Sequence, residues 1–402
     1  MTRSRYREDT GKYLNSLAVD ELFKRFQITR IGNITGLDCV GVPVYSTCRP
    51  AARVISVNAG KSRAPEMARA GAIAEGIEFA TFENPVGEFR VAPFGNELDF
   101  AVAKDSEWTP ETPIAQEFIT KWIDNSQAIA PSDMVWMAWR TPERFEKHEV
   151  DFQMSSSGQA VGGSFEDAFI QGIYELVERD ATTLRYASWD RFGVFPPRVG
   201  IEDSELYQIC ASAGLELYLL YCTVDIPIPV YWAILFDEFG GTGAFAGLGC
   251  DLDPGRAAQR ACLEAIQSRV VFISGARDDV LRRDYSASKA RDSRDDMAKF
   301  NSLPIHHKMN TKPTTDLEID YELSLVLDRL GQFREQLYFK HVPLGDLHAV
   351  KAIIPTLEQP RSALWKPTRF ITLAQAYSEQ CRSLYQASCG DHQPRKATSC
   401  AT

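Results

Sequence analysis

The chain has 402 residues, of which 44% are hydrophobic and 24% charged, and this is the composition of an ordinary globular protein. It excludes a largely disordered chain, because no low-complexity or strongly biased stretch interrupts it. Fifty-four acidic and 44 basic residues give a net charge of −10, so the surface as a whole repels nucleic acids and anionic membranes. We therefore expect neither nucleic acid nor membrane among the partners.

The start of the chain and the cysteines favour a cytoplasmic protein. The basic first residues are followed by Glu8 and Asp9, where a secretory signal would need an apolar run. The longest apolar stretch, residues 226–236, is interrupted by prolines and is shorter than the about 20 residues that a membrane span needs. Nine cysteines without a C-x-x-C pair argue against a disulfide framework and a zinc knuckle, and they fit a reducing compartment.

Strand and helix patterns alternate along the chain, which predicts an α+β fold. In chain order, they are strands at 40–47 and 53–58, a helix at 64–82, strands at 89–93 and 99–103, a helix at 165–187, strands at 215–223 and 230–237, a helix at 254–273, a helix at 322–330, and strands at 336–342 and 349–355. Residues 282–315 are polar and are predicted to form a solvated insertion or mobile lid without a part in the core. The last twenty or so residues are predicted to be a loose tail.

Three of the predicted helices share one layout, centred on Glu75, Glu175 and Glu264. Each begins ten residues earlier at a proline or just after a capping serine, and alanine or glycine stands seven and three residues before the glutamate. Small residues four apart let a helix pack closely against its neighbour. The position three residues after the glutamate holds Glu78, Glu178 or Gln267. The like charges in the first two helices repel each other unless a cation lies between them, and a divalent metal would remove that cost.

The middle helix extends this pattern into a stripe. Asp167, Gln171, Glu175 and Glu178 fall within about 80° of arc on one side of the helix. A solvated charged face is the ordinary explanation of any single E-x-x-E pair. Three copies on similarly capped helices favour a shared site of acidic side chains instead.

A glycine-bearing segment precedes each of these helices. Glycine turns that lead into helix N termini offer N–H groups to anions, so we interpret the three segments as phosphate-binding turns. G-K-S at 60–62 matches the end of a P-loop, but Ile55 stands where that motif needs its first glycine, which excludes it. With Lys61, Arg179 and Arg269 as cations, the pattern predicts a nucleotide site with Mg²⁺ that acts by positioning and charge neutralisation.

These segments resemble the YcaO superfamily, and the similarity extends from about Thr29 to Glu358. The most distinctive motif is E-x-x-E-R, at Glu175 to Arg179. Other segments similar to family motifs are TRIGNITGLDCVGVPVY at 29–45, SVNAGKS at 56–62, AEGIE at 74–78, ACLEAIQSR at 261–269 and GARDD at 275–279.

The resemblance implies a YcaO-like fold in which mixed and antiparallel sheets with packed helices form a cleft for ATP and Mg²⁺. The implied metal ligands are Glu75, Glu78, Asp167, Glu175, Glu178 and Glu264. The implied ATP contacts are Lys61, Gln171, Arg179, Gln267 and Arg269, and no catalytic residue is assigned beyond these two groups. The implied domains are an N-terminal extension over 1–28, a catalytic domain over 29–380 and a flexible tail over 381–402.

The resemblance also implies the reaction: the oxygen of a peptide backbone amide is phosphorylated by ATP, and a nucleophile then attacks the activated carbon. A side-chain thiol or hydroxyl gives an azoline, sulfide gives a thioamide and an amine gives an amidine. The chain ends in QPRKATSCAT, without the P-x-P-x-P of the family's cyclodehydratases, and no leader-binding module precedes the domain. These departures favour thioamide formation on a precursor peptide or protein, with a TfuA-like delivery partner, over an azoline-forming cyclodehydratase with a separate partner protein.

An alternative from another class is a nucleotide-binding accessory factor in the methylthiolation of a ribosomal protein. A chain without affinity for ATP would favour a scaffold of this kind over an enzyme. A homodimer is compatible with the resemblance, although the sequence identifies no self-complementary surface. His306 and His307, in the polar insertion, are expected to be solvated.

Overall fold

The computed structural model describes residues 1–85, 90–98, 100, 109–137, 152, 154–237, 243–281, 285 and 297–358. Within them the chain forms three β-sheets with helices packed on their faces. The predicted α+β class, with mixed and antiparallel sheets, is confirmed. Among these residues there is no helix that is both long enough and apolar enough to cross a membrane.

The first sheet lies near the start of the chain. Its antiparallel strands, in the order β1-β2-β3, are β1 (Arg30–Asn33), β2 (Val44–Cys48) and β3 (Val57–Lys61). The helices around it are α1 (Arg3–Ser16), α2 (Val19–Phe26) and α3 (Pro65–Phe82). Leu14 and Leu22 pack with Ile73 and Ile77 of α3 in one buried cluster, so the two N-terminal helices are attached to α3 by an apolar core.

The second sheet has five strands in the order β11-β10-β9-β8-β12, and β8 and β12 are its parallel pair. The strands are β8 (Arg198–Gly200), β9 (Leu215–Tyr221), β10 (Val230–Asp237), β11 (Ala244–Cys250) and β12 (Ile305–Lys308). The helices of this part are α6 (Glu205–Ser212) and α7 (Pro254–Ser274). Two earlier helices, α4 and α5, belong to the third sheet. Helix α7 covers β10 and β11 with its buried alanines.

The third sheet is antiparallel, in the order β4-β5-β13-β14-β7, with β6 paired to β5. Its strands are β4 (Arg90–Pro93), β5 (Pro113–Lys121), β6 (Gln127–Pro131), β7 (Gln159–Gly162), β13 (Tyr338–Pro343) and β14 (His348–Ile353). The associated helices are α4 (Ser132–Val135), α5 (Phe165–Phe192) and α8 (Ile319–Arg329). Helix α5 is buried between the second and third sheets, because its apolar side chains share a core with Ile234 and Val350.

The three glycine-bearing segments contain strands β3, β7 and β11 where phosphate-binding turns were predicted, and the second segment also has a turn at residues 157–158. Gly60 lies in β3 and Gly247 lies in β11, each directly against the helix that follows. A Cβ atom on Gly60 would stand 2.1 Å from the backbone nitrogen of Ala72, and one on Gly247 would stand 2.1 Å from that of Ala265. The glycines are therefore needed for close contact between strand and helix. The repeated small residues of the helices meet these strands.

The other sequence predictions have mixed outcomes. The helices begin at the predicted Pro65, Phe165 and Pro254, and the hydroxyl of Ser164 caps α5 by accepting the N–H of Asp167. The prediction that residues 282–315 take no part in the core is wrong, because Phe300 is 1% exposed and packs in the central cluster. His306 and His307 are exposed, as expected. The predicted strand at 99–103, apart from residue 100, and the tail at 381–402 lie outside the described residues.

Candidate functional site: a cavity between three acidic helices

A cavity of about 710 Å³ lies where α1, α3, α5 and α7 approach one another, and strands β3 and β7 complete its wall. This volume is within the range of ligand pockets, which is about 300–1,000 Å³. The lining includes these predicted site residues: Lys61, Glu75, Glu78, Asp167, Gln171, Glu175, Glu178, Arg179, Glu264 and Gln267. Ten of the eleven site residues predicted from the sequence therefore line this one cavity.

One glutamate on each of three helices is oriented by the strand that precedes its helix. The backbone N–H of Ala59 donates to Glu75 over 3.3 Å, and that of Leu248 donates to Glu264 over 3.4 Å. The backbone of Gly158, directly before β7, lies near Glu175 and acts to lower the pKa of its carboxyl group. Strands β3, β7 and β11 all lie at the edge of their sheets. The structure thus repeats one strand–helix unit three times around the cavity.

Two ion pairs connect these glutamates to cations. Lys61 Nζ lies 2.8 Å from Glu264 Oε2, and an Arg179 nitrogen lies 3.6 Å from Glu175 Oε1. Burial acts to raise the pKa of Glu264, but the ammonium of Lys61 and its hydrogen bond outweigh burial and hold that pKa below its ordinary value. Glu264 is therefore ionised, with Lys61 as its counterion.

The other glutamates have raised pKa values. Burial, followed by the nearby carboxylates of Glu175 and Glu75, raises the pKa of Glu78 well above its ordinary value. Burial and the carboxylate of Glu264 raise the pKa of Glu178 to about 7, and burial raises that of half-buried Glu75 to about 7. Like charges gathered in a partly enclosed space destabilise each other's ionised forms. For Glu75, Glu78 and Glu178, burial and the neighbouring carboxylates therefore outweigh the effect of the nearby cations.

The donor set fits Mg²⁺, which prefers carboxylate oxygens together with phosphate oxygens and water. A cation beside Glu78, Glu175 and Glu178 would remove the repulsion that raises their pKa values. Among the residues that the structure describes, no three His, Cys, Asp or Glu side chains are already arranged around a metal-sized point. The carboxylates share the cavity and would approach one another more closely around an ion.

Lys351 is a cation of this region that the sequence analysis missed. Its side chain is buried on β14 with 2% exposure, and Nζ donates to the carbonyl of Ser155 over 2.5 Å. Burial lowers its pKa to about 8, against the opposing effect of Glu175 and Glu78. Lys351 therefore lies close enough to both carboxylates to affect them, and no local sequence pattern marks it as part of a site.

Asp167 and Gln171 lie in the cavity wall but are engaged by the N-terminal helix. Arg3 Nε lies 2.9 Å from Asp167 Oδ1, and Arg3 Nη1 lies 2.6 Å from Glu322 Oε1. Arg7 Nη2 donates to Gln171 Oε1 over 2.6 Å. Burial acts to raise the pKa of Asp167, but Arg7 and Arg3 hold it below its ordinary value. A metal ion at Asp167 would be repelled by both guanidinium groups, so Asp167 is the weakest of the predicted ligands.

Arg269 is not among the residues that line the cavity, in contrast to its predicted role as a phosphate contact. It is 6% exposed, and its guanidinium lies 3.1 Å from Asp38 and 3.5 Å from Asp237. These buried ion pairs give Arg269 a structural position between α7 and the sheet. The cavity instead contains four arginines that the sequence analysis did not select: Arg7, Arg256, Arg260 and Arg277.

Comparison with known proteins identifies relatives of the chain. A family model described as YcaO cyclodehydratase, ATP- and Mg²⁺-binding, matches residues 59–358, which agrees with the predicted cofactors. A protein of Rhizobium leguminosarum bv. trifolii, described as an uncharacterized protein in the tfuA 3′ region, is 30% identical over 386 residues, covering 85% of this chain and 86% of that protein. An uncharacterized protein of Methanothermobacter thermautotrophicus is 29% identical over 276 residues, covering 64% and 69%.

Solved structures share the fold. YcaO from Methanopyrus kandleri bound with AMPPCP and Mg²⁺ has a TM-score of 0.68 and 17% identity, and the match covers 87% of this chain and 91% of that one. A heterocyclase in complex with substrate and cofactor has a TM-score of 0.69 and 16% identity, covering 90% and 55%. The E. coli microcin synthetase McbBCD complex has a TM-score of 0.58 and 14% identity, covering 78% and 84%.

Proposed function

The chain belongs to the YcaO family, and from this premise we propose that it uses ATP and Mg²⁺ to phosphorylate the oxygen of a backbone amide in a peptide or protein. One observation carries the proposal. Carboxylates from three separate helices and the cations Lys61 and Arg179 line the same cavity. Phosphoryl transfer depends mainly on positioning and on neutralising phosphate charge, and this cavity supplies groups for both.

The residues divide into two sets by charge. Glu75, Glu78, Glu175, Glu178 and Glu264 would hold Mg²⁺, which supplies charge neutralisation to the phosphate oxygens. Lys61, Arg179 and Gln267 would bind the phosphates. Two further residues would orient the N-terminal helix over the nucleotide. Gln171 is held by Arg7 and Arg260, and Asp167 is held by Arg3 and Arg7. This role of Asp167 differs from that of a metal ligand.

The reaction would proceed in two steps. The amide oxygen forms a bond to the γ-phosphorus of ATP, and ADP leaves. A nucleophile then bonds to the amide carbon, and the carbon–oxygen bond breaks to release inorganic phosphate. With sulfide as the nucleophile, the product is a thioamide. We place this chain in that class, with a TfuA-like delivery partner, and the position of its relative in the tfuA 3′ region supports the assignment.

Azoline formation is the second candidate, because the family is described by its cyclodehydratases. In that reaction a cysteine, serine or threonine side chain of the substrate supplies the nucleophile, and a separate partner protein would deliver the peptide. The same cavity would serve both reactions. The nucleophile, rather than the phosphorylation site, distinguishes them.

The test is to express the chain with a TfuA-like protein and a short peptide encoded beside its gene, and to measure the mass of the peptide. Exchange of oxygen for sulfur raises that mass, whereas dehydration lowers it by one water. Calorimetry with Mg²⁺ and AMPPCP tests the nucleotide site separately. An unmodified peptide together with no affinity for the nucleotide would reject the proposed function.

A further inference from the structure

Gln159 is a buried carboxamide without a hydrogen-bond partner for its side chain. It is the first residue of β7, it is 1% exposed, and it lines the cavity. Within the described part of the chain, neither Oε1 nor Nε2 of Gln159 has a hydrogen-bond partner. Buried polar atoms are nearly always paired in folded proteins, and because Gln159 lines the cavity, a ligand bound there can supply the missing partner.

The position of Gln159 places it at the acidic end of the cavity. It lies directly opposite Lys351 in the antiparallel pair of β7 and β14, and opposed residues of such a pair project to the same face of the sheet. Lys351 interacts electrostatically with Glu175 and Glu78. The residue before Gln159 is Gly158, whose backbone lies near Glu175. The carboxamide therefore lies on the same side of the sheet as Lys351 and lines the same cavity as Glu78 and Glu175.

A ligand for this side chain must both donate and accept hydrogen bonds. A carboxamide has two N–H donors on nitrogen and an oxygen that accepts. Mg²⁺ gives up its water reluctantly and usually keeps several molecules when it binds nucleotide phosphates. Water in its hydration shell donates hydrogen bonds, and phosphate oxygens accept them, so the two together satisfy both atoms of Gln159.

We propose that Gln159 binds the hydrated Mg²⁺–triphosphate group, with Oε1 accepting from a water of the ion's hydration shell and Nε2 donating to a phosphate oxygen. This rests on the proposed ATP and Mg²⁺ site and adds a residue to it. Gln159 contacts the ion through water, while Glu78 and Glu175 contact it directly. Its carboxamide is unpaired in the free protein because the ligand is its partner.

The test compares Gln159→Leu with the wild-type chain, using Mg²⁺ and AMPPCP as the probe. Calorimetry should show about tenfold weaker binding, equivalent to about 1.4 kcal/mol. The free variant should melt at a higher temperature, because the unpaired buried amide is gone. Asn58→Leu is the matched control, since Asn58 is also 1% exposed with both side-chain amide atoms unpaired but does not line the cavity. It should raise the melting temperature and leave the affinity unchanged.

Each other outcome contradicts the inference in its own way. Equal affinity in Gln159→Leu and wild type overturns the role of Gln159 and leaves the nucleotide site standing. If ligand-free Gln159→Leu melts at a lower temperature than wild type, the side chain of Gln159 serves packing and not ligand binding. If the leucine variant does not fold, Gln159→Met repeats the comparison. Failure of both variants to fold likewise assigns Gln159 to packing. A wild-type chain without affinity for the probe overturns the site itself.

Discussion

The ammonium of Lys61 lies 2.8 Å from a carboxylate oxygen of Glu264, and this contact joins a strand of the first sheet to a helix that packs on the second. The two side chains are 23% and 30% exposed, so water reaches the pair. An ion pair of this kind contributes little to stability. Both residues line the cavity, which supports the binding role that we propose for them.

Lys61→Met should weaken binding of Mg²⁺ and AMPPCP about tenfold, while the free energy of unfolding changes by less than about 1 kcal/mol. The loss has two causes, because a phosphate loses a cation and the pKa of Glu264 rises. Lys61→Arg keeps the charge and should recover part of the affinity. Calorimetry and urea denaturation measure the two quantities, and a large loss of stability without a loss of affinity would contradict this role.

Replacing Glu175 by glutamine should weaken Mg²⁺-dependent nucleotide binding by roughly 100-fold or more. The same change should stabilise the free protein. The reason is that the acidic group binds the ion but repels its neighbours when no ion is present. The melting temperature measures the gain in stability, and calorimetry measures the loss of affinity. Glu205→Gln is the control, because Glu205 pairs with Arg63 at the surface, outside this cavity. Glu175→Gln with unchanged affinity would remove Glu175 from the metal ligands.

Stability of the ligand-free protein should fall as the pH rises from about 5 to about 8. The pKa of Glu178 in the folded chain is about 7, above the ordinary value near 4.5, so the folded state holds the extra proton. The stabilisation of the folded state by this proton is complete below the ordinary pKa of a glutamate. It is lost as the pH rises through the pKa of Glu178 in the folded chain. Affinity for Mg²⁺ should rise over the same range, since protons must leave the carboxylates.

Urea midpoints at several pH values, with and without Mg²⁺ and AMPPCP, measure this dependence. Glu178→Gln should flatten the slope of the ligand-free curve, because the glutamine does not titrate. Stability that increases steadily across the range, in wild type and variant alike, would show that other groups govern the pH dependence.

Gly60→Ala should destabilise the chain by about 2 kcal/mol or more, because its Cβ would stand 2.1 Å from the nitrogen of Ala72 and backbone must move. Gly36→Ala is the matched control, since no atom lies within 4 Å of the Cβ position there. Thermal unfolding compares the two. Equal stability of both variants would mean that β3 and α3 separate easily.

Arg3→Met should cost about 3–5 kcal/mol, because Glu322 would lose its arginine and Asp167 would keep only Arg7, at 3.4 Å. Arg5→Met on the same helix is the control, since Arg5 is exposed. Chemical denaturation gives the difference. A cost no larger than that of Arg5→Met would show that water enters to solvate the two carboxylates.

The helices of the site were predictable from the sequence because their signals are local. Prolines and a capping serine mark where α3, α5 and α7 begin, and E-x-x-E spacing puts acids on one side. Long-range contacts left no such signal. Arg3 meets Asp167 across 164 positions, and nothing in the first residues indicates that contact.

Two further predictions show the limit of local patterns. The glycine segments suggested turns, but glycine also lets a strand lie against a helix, and only tertiary structure distinguishes the two uses. Arg269 has the spacing of a site residue on α7, yet Asp38 and Asp237 hold it within the protein. Sequence periodicity gives the side of a helix, whereas the neighbours on that side depend on the whole fold.

The attachment of α1 also constrains when the cavity can form during synthesis. Arg3 binds Glu322, which is 319 residues later in the chain. At about 5–20 residues per second, a ribosome needs roughly 15–65 s to make the intervening segment. Helix α1 therefore emerges long before its final partners, which are first Asp167 and then Glu322. The ion pair that fixes the first residues of α1 can form only after α8 has left the ribosome.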